Sequence, residues 1–507
     1  MPHLKQPMSL KDKCLQECVN LYCGACVRWI SKISHPEASN RRAYQIREGI
    51  VLAECRQIER SLSELPYFVI QMMSPQLTRK FADMIINYNY KHQDIPIVFW
   101  RRKRRRSLCS AMFRSVLTPH VYEYNDEIVS CNLTQNLLVQ TLDSVPGLRT
   151  LYLRFATRNE GDQSGLPRMI CHLRHLQIFT YEYYCTDEVI EQLGLHCIHL
   201  KKVSLCCSSR VTNASAKHLL RLRKLEFLNL SGTGIDKEHY ALLLSKLHQI
   251  KEIVLRRKED DILDHVAESN LHKISHVSGE VEDISKLAQR CRNITNLDIC
   301  LFTKDLSGLA ALTTLHTLRL ERGNYAKCNL KAVLTDIGHR LKDLTLKHIK
   351  HVNFQDIVTL CPSLASMSLL ACTLLSLDPD TQLDPQLPHF RNLTSLEIIQ
   401  LCDDKCSCDY IRYYVSLKKI CLLAINIFTV RFMREVVRTG TLADLEDIAV
   451  HEYEPYAMTV EALELLIKHC SHLKSIKGIK TCRWIPRWFI EKLQRRLLVQ
   501  NFDLEIN

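Results

Sequence analysis

Cysteine is the residue type in this chain that could most readily do chemistry. Cys14, Cys18, Cys23 and Cys26 crowd one short stretch, and Cys402, Cys406 and Cys408 form a second group beside Asp403, Asp404 and Asp409. Thiolates within tetrahedral reach of one another can hold zinc. The first four, however, fall on a stretch with helical periodicity, where positions 23 and 26 face elsewhere than 14 and 18. The second group offers only three sulfurs, in a loop. Packed or free thiols are the preferred reading of both, and no metal or other cofactor is expected. Catalytic signatures are missing too: there is no Gly-rich phosphate loop, no G-x-S-x-G and no H-E-x-x-H. The 22 histidines are scattered, several of them (His248, His272 and His316) inside a repeated apolar phrase where packing accounts for them. Triads assemble in space rather than along the chain, but no grouping recommends one, so the chain is not expected to be an enzyme.

Arg101, Arg102, Lys103, Arg104, Arg105 and Arg106 form an unbroken basic run. It reads as a candidate nuclear-localisation signal or a patch for an acidic partner. The alternative is a solvated loop marking a domain boundary. The whole chain carries a net charge of +13. That balance permits contact with nucleic acid, but no aromatic stacking ladder or nucleic-acid module accompanies it, so nucleic acid is not the expected partner. The 23 cysteines are an odd number, and no apolar leader follows Met1 to serve a secretory route. They read as reduced thiols of the cytoplasm or nucleus. The sequons at Asn132, Asn229, Asn293 and Asn392 then carry no meaning. No run approaches the ~18 apolar residues that span a bilayer, so no membrane contact is expected.

The elements that must position these residues are announced by a phrase, L-x-x-L-x-L or a close variant, written fourteen times between residues 148 and 479. It is clear at Leu225-x-x-Leu228-x-Leu230, Leu315-x-x-Leu318-x-Leu320 and Leu341-x-x-Leu344-x-Leu346. The starts are Leu148, Leu173, Leu200, Leu225, Ile250, Leu271, Ile294, Leu315, Leu341, Leu364, Leu393, Leu417, Leu445 and Leu473, spaced 21 to 29 residues apart. A recurrence in this range marks leucine-rich repeats. Each repeat puts a short strand on one face, with the leucines inward and the x positions outward. It returns through a helix, as the one-sided apolar patterns at 237–247 and 460–470 predict. Four repeats add a cysteine three residues before the first apolar position: Cys197, Cys291, Cys361 and Cys470. A cysteine there behaves as a small buried hydrophobe at the helix end. This resembles the cysteine-containing subclass of leucine-rich repeats, which is common in substrate receptors of ubiquitin ligases. The expected fold is α/β, a leucine-rich-repeat solenoid of the horseshoe type over residues 108–480, with a capping helix in 481–507.

Outward residues just after the third phrase position change character along the chain. They are basic at Arg154, Arg256, Arg319 and Lys347, then apolar at Leu370, Ile399 and Leu423, with His451 next. Stacked strands would align them in one column, and an apolar column beside a basic one is what a protein-binding groove looks like. Arg319, Lys347, Leu370, Ile399 and Leu423 are therefore the candidate partner-binding residues. The alternative is that the insert at 378–390 folds over the apolar positions and buries them.

Residues 1–107 carry no phrase and read as a helical module, with helices over 8–33, 40–62 and 67–86. Ser9-Leu10-x-x-x-Cys14-x-x-x-Cys18 places Leu10, Cys14 and Cys18 on one helix face with Leu21. This is similar to the BC-box of elongin-binding receptors, with Cys18 standing where an aliphatic residue is usual. Leu65-Pro66-x-x-Val69 resembles the short cullin box. The resemblance implies a helix-in-groove contact of Leu10, Cys14 and Cys18 with an elongin adaptor, and a cullin contact through Leu65, Pro66 and Val69. Two alternatives stand beside it: an F-box-like, Skp-binding trio opened by Leu65-Pro66, and a plain capping helix. The expected function is the non-catalytic substrate-recognition subunit of a cullin-RING ubiquitin ligase, holding an unknown target protein on the repeat face. The competing expectation is a leucine-rich-repeat interaction scaffold unrelated to ubiquitin.

Overall fold

The computed structural model describes residues 10–34, 41–70, 72–74, 76–78, 81, 106–117, 121–124, 132–154, 165–256, 260–301, 306–375, 392–399, 416–423, 428–451, 458–482, 485–500 and 504–506. Among the described residues sixteen parallel strands are hydrogen-bonded in chain order. They are β1 (Glu123–Tyr124), β2 (Thr150–Arg154), β3 (Ile178–Glu182), β4 (Lys202–Ser204), β5 (Phe227–Asn229), β6 (Glu252–Leu255), β7 (His276–Val281), β8 (Asn296–Leu301), β9 (Thr317–Asn324), β10 (Asp343–Lys350), β11 (Ser366–Leu370), β12 (Ser395–Ile399), β13 (Lys419–Leu423), β14 (Asp447–His451), β15 (Ser475–Lys477) and β16 (Glu505–Ile506). Helices such as Asp187–His196, Lys237–Lys246 and Val460–His469 return the chain between strands. Strand, turn, helix and turn recur, so the fold is an α/β leucine-rich-repeat solenoid.

The apolar phrase accounts for the sheet. Leu315, Leu318 and Leu320 are buried, while Arg319 between the last two is exposed. Leu318 pairs in register with Leu344, and Leu344 with Met367. Each apolar side chain is thus stacked on its counterparts in the neighbouring repeats. Removing such a side chain from water is worth roughly 1.5–3 kcal/mol, a gain that one repeat could not obtain alone.

The helix ends account for the cysteines. At Cys197, Cys291, Cys361 and Cys470 the backbone N–H donates to the carbonyl four residues earlier, closing the helix. All four side chains are buried. The thiols of Cys197 and Cys470 donate to the Leu173 and Leu442 carbonyls of the preceding repeats, at 3.3 and 3.2 Å. The residue is small enough for the turn and still satisfies a carbonyl.

The same turn corrects two phrase starts. Register pairs Leu151 with Phe179 and Leu153 with Tyr181, and Val277 with Leu297. The phrases of β3 and β7 therefore begin at Leu176 and Ile274, three residues after Leu173 and Leu271. Those two leucines occupy the turn position of Cys197, their carbonyls accepting from the Leu176 and Ile274 N–H groups. A leucine at the turn repeats the three-residue spacing and hides the offset. In β7 the third phrase position is Gly279, with φ +110° and a Cβ site 2.1 Å from the Leu255 carbonyl oxygen. Only glycine fits there, so no apolar residue marks the register. β1 and β16 belong to no phrase and pair through two residues each. The chain returns to the sheet as β16 after the terminal helix Arg487–Val499, instead of ending on it.

Two compact units divide the chain, Met8–Ile253 with Asp264–Asn270, and Val254–Leu263 with Leu271–Asn507. Among the described residues the first contains, ahead of β1, the helices α1 (Leu10–Ser34), α2 (Arg41–Ser63) and α3 (Arg106–Arg114). Val19, Tyr22, Cys26 and Trp29 of α1 are buried. The Tyr22 hydroxyl donates to the Met112 carbonyl of α3 at 2.7 Å, and Trp29 Nε1 donates to Glu54 Oε2 of α2 at 2.5 Å. Arg114 at the end of α3 lies 3.0 Å from Asp143, just ahead of β2. Among the described residues no helix is long and apolar enough to cross a membrane.

Candidate functional site

α1 is packed along one side. Cys14, Cys18 and Leu21 are exposed, Leu21 to 69%, on a face turned about 100° from the buried stripe by helical geometry. Leu10 is the first residue of α1, and its side chain lies outside the described residues. Cys23 is half-buried and Cys26 buried, and burial pushes the Cys26 thiol well above its ordinary value. The four thiols thus divide between water and core. Among the described residues no three His, Cys, Asp or Glu side chains come together as metal ligands. Cys402, Cys406 and Cys408, the basic run from Arg101 to Arg105 and the 378–390 insert lie outside the described residues, and Arg106 opens α3.

Past α2, Leu65 and Val69 are half-buried and Pro66 is exposed. Pro66 starts a helical turn, its carbonyl accepting from the Val69 N–H at 2.9 Å, where the missing proline donor costs nothing. Tyr67 and Phe68 beside it are 58% and 56% exposed, with rings edge to face at 6.2 Å. Ile46 and Ile50 of α2 are exposed as well.

The outward rows of β8–β14, all in the second unit, form another surface. Register places Glu321, Lys347, Leu370, Ile399, Leu423 and His451 in one line across β9–β14. Lys347, Leu370, Ile399 and Leu423 are therefore adjacent. Arg319 is not in that line. It belongs to the next row, Asp298, Arg319, Thr345, Ser368 and Glu397. The reason is the period of two: Arg319 stands between the last two phrase leucines, and the residue after the third is Glu321.

The basic column is broken for the same reason. Lys347 Nζ lies 3.2 Å from Glu321, its register partner, and Arg319 lies 3.8 Å from Asp298, its own. In the first unit Arg154 lies 3.0 Å from Glu182, again one strand away in register. Arg256 follows β6 and is half-buried. Such exposed pairs contribute ~0–1 kcal/mol, and their consequence is cancellation of charge. Asp298, Arg319, Glu321, Thr345, Lys347, Ser368, Leu370 and Glu397 line a shallow pocket of about 310 Å³. Desolvation there pushes the Asp298 carboxyl above its ordinary value against the opposing pull of Arg319. Ser368 Oγ donates to Glu397 Oε2 at 3.1 Å. Leu370 and Ile399 are half-buried. Sequence reading passed over Asp298, Glu321 and Glu397. Asp298 and Glu397 hold the same phrase position as Arg319, and one step past Leu320 finds Glu321.

No family model matches this chain, and no curated protein matches it. Among solved structures it is similar to the Rad7 and Elc1 complex of yeast, at 12% identity and a TM-score of 0.43 over 81% of this chain and 94% of that one. It is also similar to a leucine-rich-repeat protein of Leptospira interrogans, at 14% identity and a TM-score of 0.33 over 73% of this chain and 97% of that one.

Proposed function

We propose that this chain is a non-catalytic substrate receptor of a cullin-RING ubiquitin ligase. An elongin-type adaptor docks on the exposed face of α1, the cullin contact lies around Leu65, Pro66 and Val69, and the target protein sits on the outward rows of β8–β14. The observation that carries the reading is the two-sidedness of α1. Cys14, Cys18 and Leu21 are open to solvent on a helix whose other side is anchored by Tyr22 and Trp29. A helix held rigid by its own packing offers its free face to a groove with little ordering cost. Single exposed apolar residues are ordinary, but Leu21, Ile46, Ile50, Tyr67 and Phe68 all fall within the same few helices. The described cysteines are free thiols, which suits a receptor of the cytoplasm or nucleus.

Co-expression with elongins B and C, purification through a tag on elongin and size exclusion test the proposal. A stoichiometric complex is expected, and Leu10→Ser with Cys14→Phe should abolish it while the chain still unfolds cooperatively, Cys14 being exposed. No complex from a folded chain would overturn the adaptor and leave a scaffold. A complex that survives the double substitution would move the docking face away from α1.

A further inference from the structure

We propose that the outward face of β8–β12 binds a basic, not an acidic, segment of its partner protein: an extended stretch with a lysine or arginine close to a large apolar residue. The proposal rests on reading these rows as the partner surface and is independent of the adaptor. Across the three outward rows of these five strands, Asp298, Glu321, Asp343 and Glu397 face Arg319 and Lys347. Within these rows four acids stand against two bases, and Arg322 beside them on β9 adds a third base, also held on Glu321 at 3.8 Å, so the rows still carry an excess of negative charge in a chain whose total is +13. The two bases within the rows are already engaged, Arg319 by Asp298 and Lys347 by Glu321. The described partners of the other two acids are hydroxyls, Ser368 for Glu397 at 3.1 Å and Thr317 for Asp343 at 3.3 Å. A hydroxyl satisfies a lone pair and cancels no charge.

Glu397 is the better placed of the two. It lines the pocket, and Ile399 stands two residues further along the same strand, about 7 Å away. Ile399 pairs in register with Leu370. An anion therefore borders an apolar shelf. A lysine or arginine can lay its aliphatic stem on such a shelf and carry its charge to the carboxylate. The pocket, at about 310 Å³, has room for one long side chain and not for a folded element. In an extended partner, alternate residues face the sheet, which sets the apolar residue two positions from the cation. An acidic segment would meet four carboxylates and bases that are already paired, and like charges across an interface repel.

A phage-displayed random dodecapeptide library panned on the full chain tests this, with selected peptides measured by fluorescence anisotropy. Enriched sequences are expected to pair Lys or Arg with a large apolar residue. Their affinity should fall about tenfold on Glu397→Lys, less on Glu397→Gln, and progressively with added salt. Panning on the Glu397→Lys variant should return acidic sequences, an inversion that a misfolded protein would not show. Acidic sequences from the unaltered chain, basic ones indifferent to Glu397→Lys, or no enrichment would each overturn the proposal. Elongin co-elution is read separately, so loss of one reading leaves the other standing.

Discussion

Cys197, Cys291, Cys361 and Cys470 place a titratable group where water does not reach. Burial pushes each thiol from the ordinary value of 9.0 up to about 12. A raised acid is one whose neutral form the fold prefers, so its contribution is complete below pH 9 and is lost as pH climbs toward 12, where the unfolded chain ionises first. Each thiol should cost about 1.4 kcal/mol of stability per pH unit in that window. Urea unfolding followed against pH is expected to show a flat neutral region and then a steep fall. Tyrosines and lysines titrate there too, so the measurement that counts is the difference from a variant with all four cysteines changed to alanine. That variant will start less stable, having lost buried volume and two thiol hydrogen bonds, but should fall more gently. Parallel curves would show that the thiols ionise as freely in the folded protein as in the unfolded one. The role of these cysteines was legible in the sequence because one position recurs at one distance from the phrase. The Cys14–Cys26 group carried no such periodic label.

α1 shows what periodicity can and cannot say about an element. Two apolar stripes run along it, Leu10, Cys14, Cys18 and Leu21, and Val19, Tyr22, Cys26 and Trp29. Helical spacing identifies both and does not say which one the core takes. The structure decides through aromatic bulk and polar handles, since Trp29 is buried and still finds Glu54 for its indole N–H. Lys32 takes the other carboxylate oxygen at 3.0 Å. The Trp29 and Lys32 bonds hold the Glu54 carboxyl below its ordinary value. Glu54→Ala should leave a buried N–H unsatisfied, at a cost of about 1–3 kcal/mol. Trp29→Phe should then be cheaper in that background than in the parent, because the donor it removes has already lost its acceptor. A double-mutant cycle by chemical denaturation measures the coupling, and strictly additive costs would mean the bond contributes nothing. Strand register failed in the sequence for a related reason. Leu173 and Leu271 are as apolar as the true phrase starts, and only pairing with the next strand separates them.

At the scale of the whole chain, the repeat period was readable because every repeat solves the same burial problem, and the ends were not because each solves a different one. β1 and β16 are two residues long, too short to print an alternation. They matter because, among the described residues, they are the outermost strands of the sheet, and an edge strand offers unpaired N–H and C=O groups to any other chain. β16 guards β15: the Glu505 N–H donates to the Lys474 carbonyl at 2.8 Å, and Gln494 of the terminal helix fixes Ile506 through its carbonyl at 2.9 Å. Leu504 and Ile506 are buried in doing so. Deleting residues 501–507 should cost about 3–6 kcal/mol from those two side chains and uncover the backbone of β15. The truncated chain is expected to unfold earlier and, by light scattering across a concentration series, to self-associate more than the full chain. Salt should deepen that association, since it screens the repulsion between copies carrying a net charge of +13. If the truncated and full chains scatter alike at every concentration and salt, β16 is only a stabilising appendage. The edge would then have to be protected by something other than its last strand.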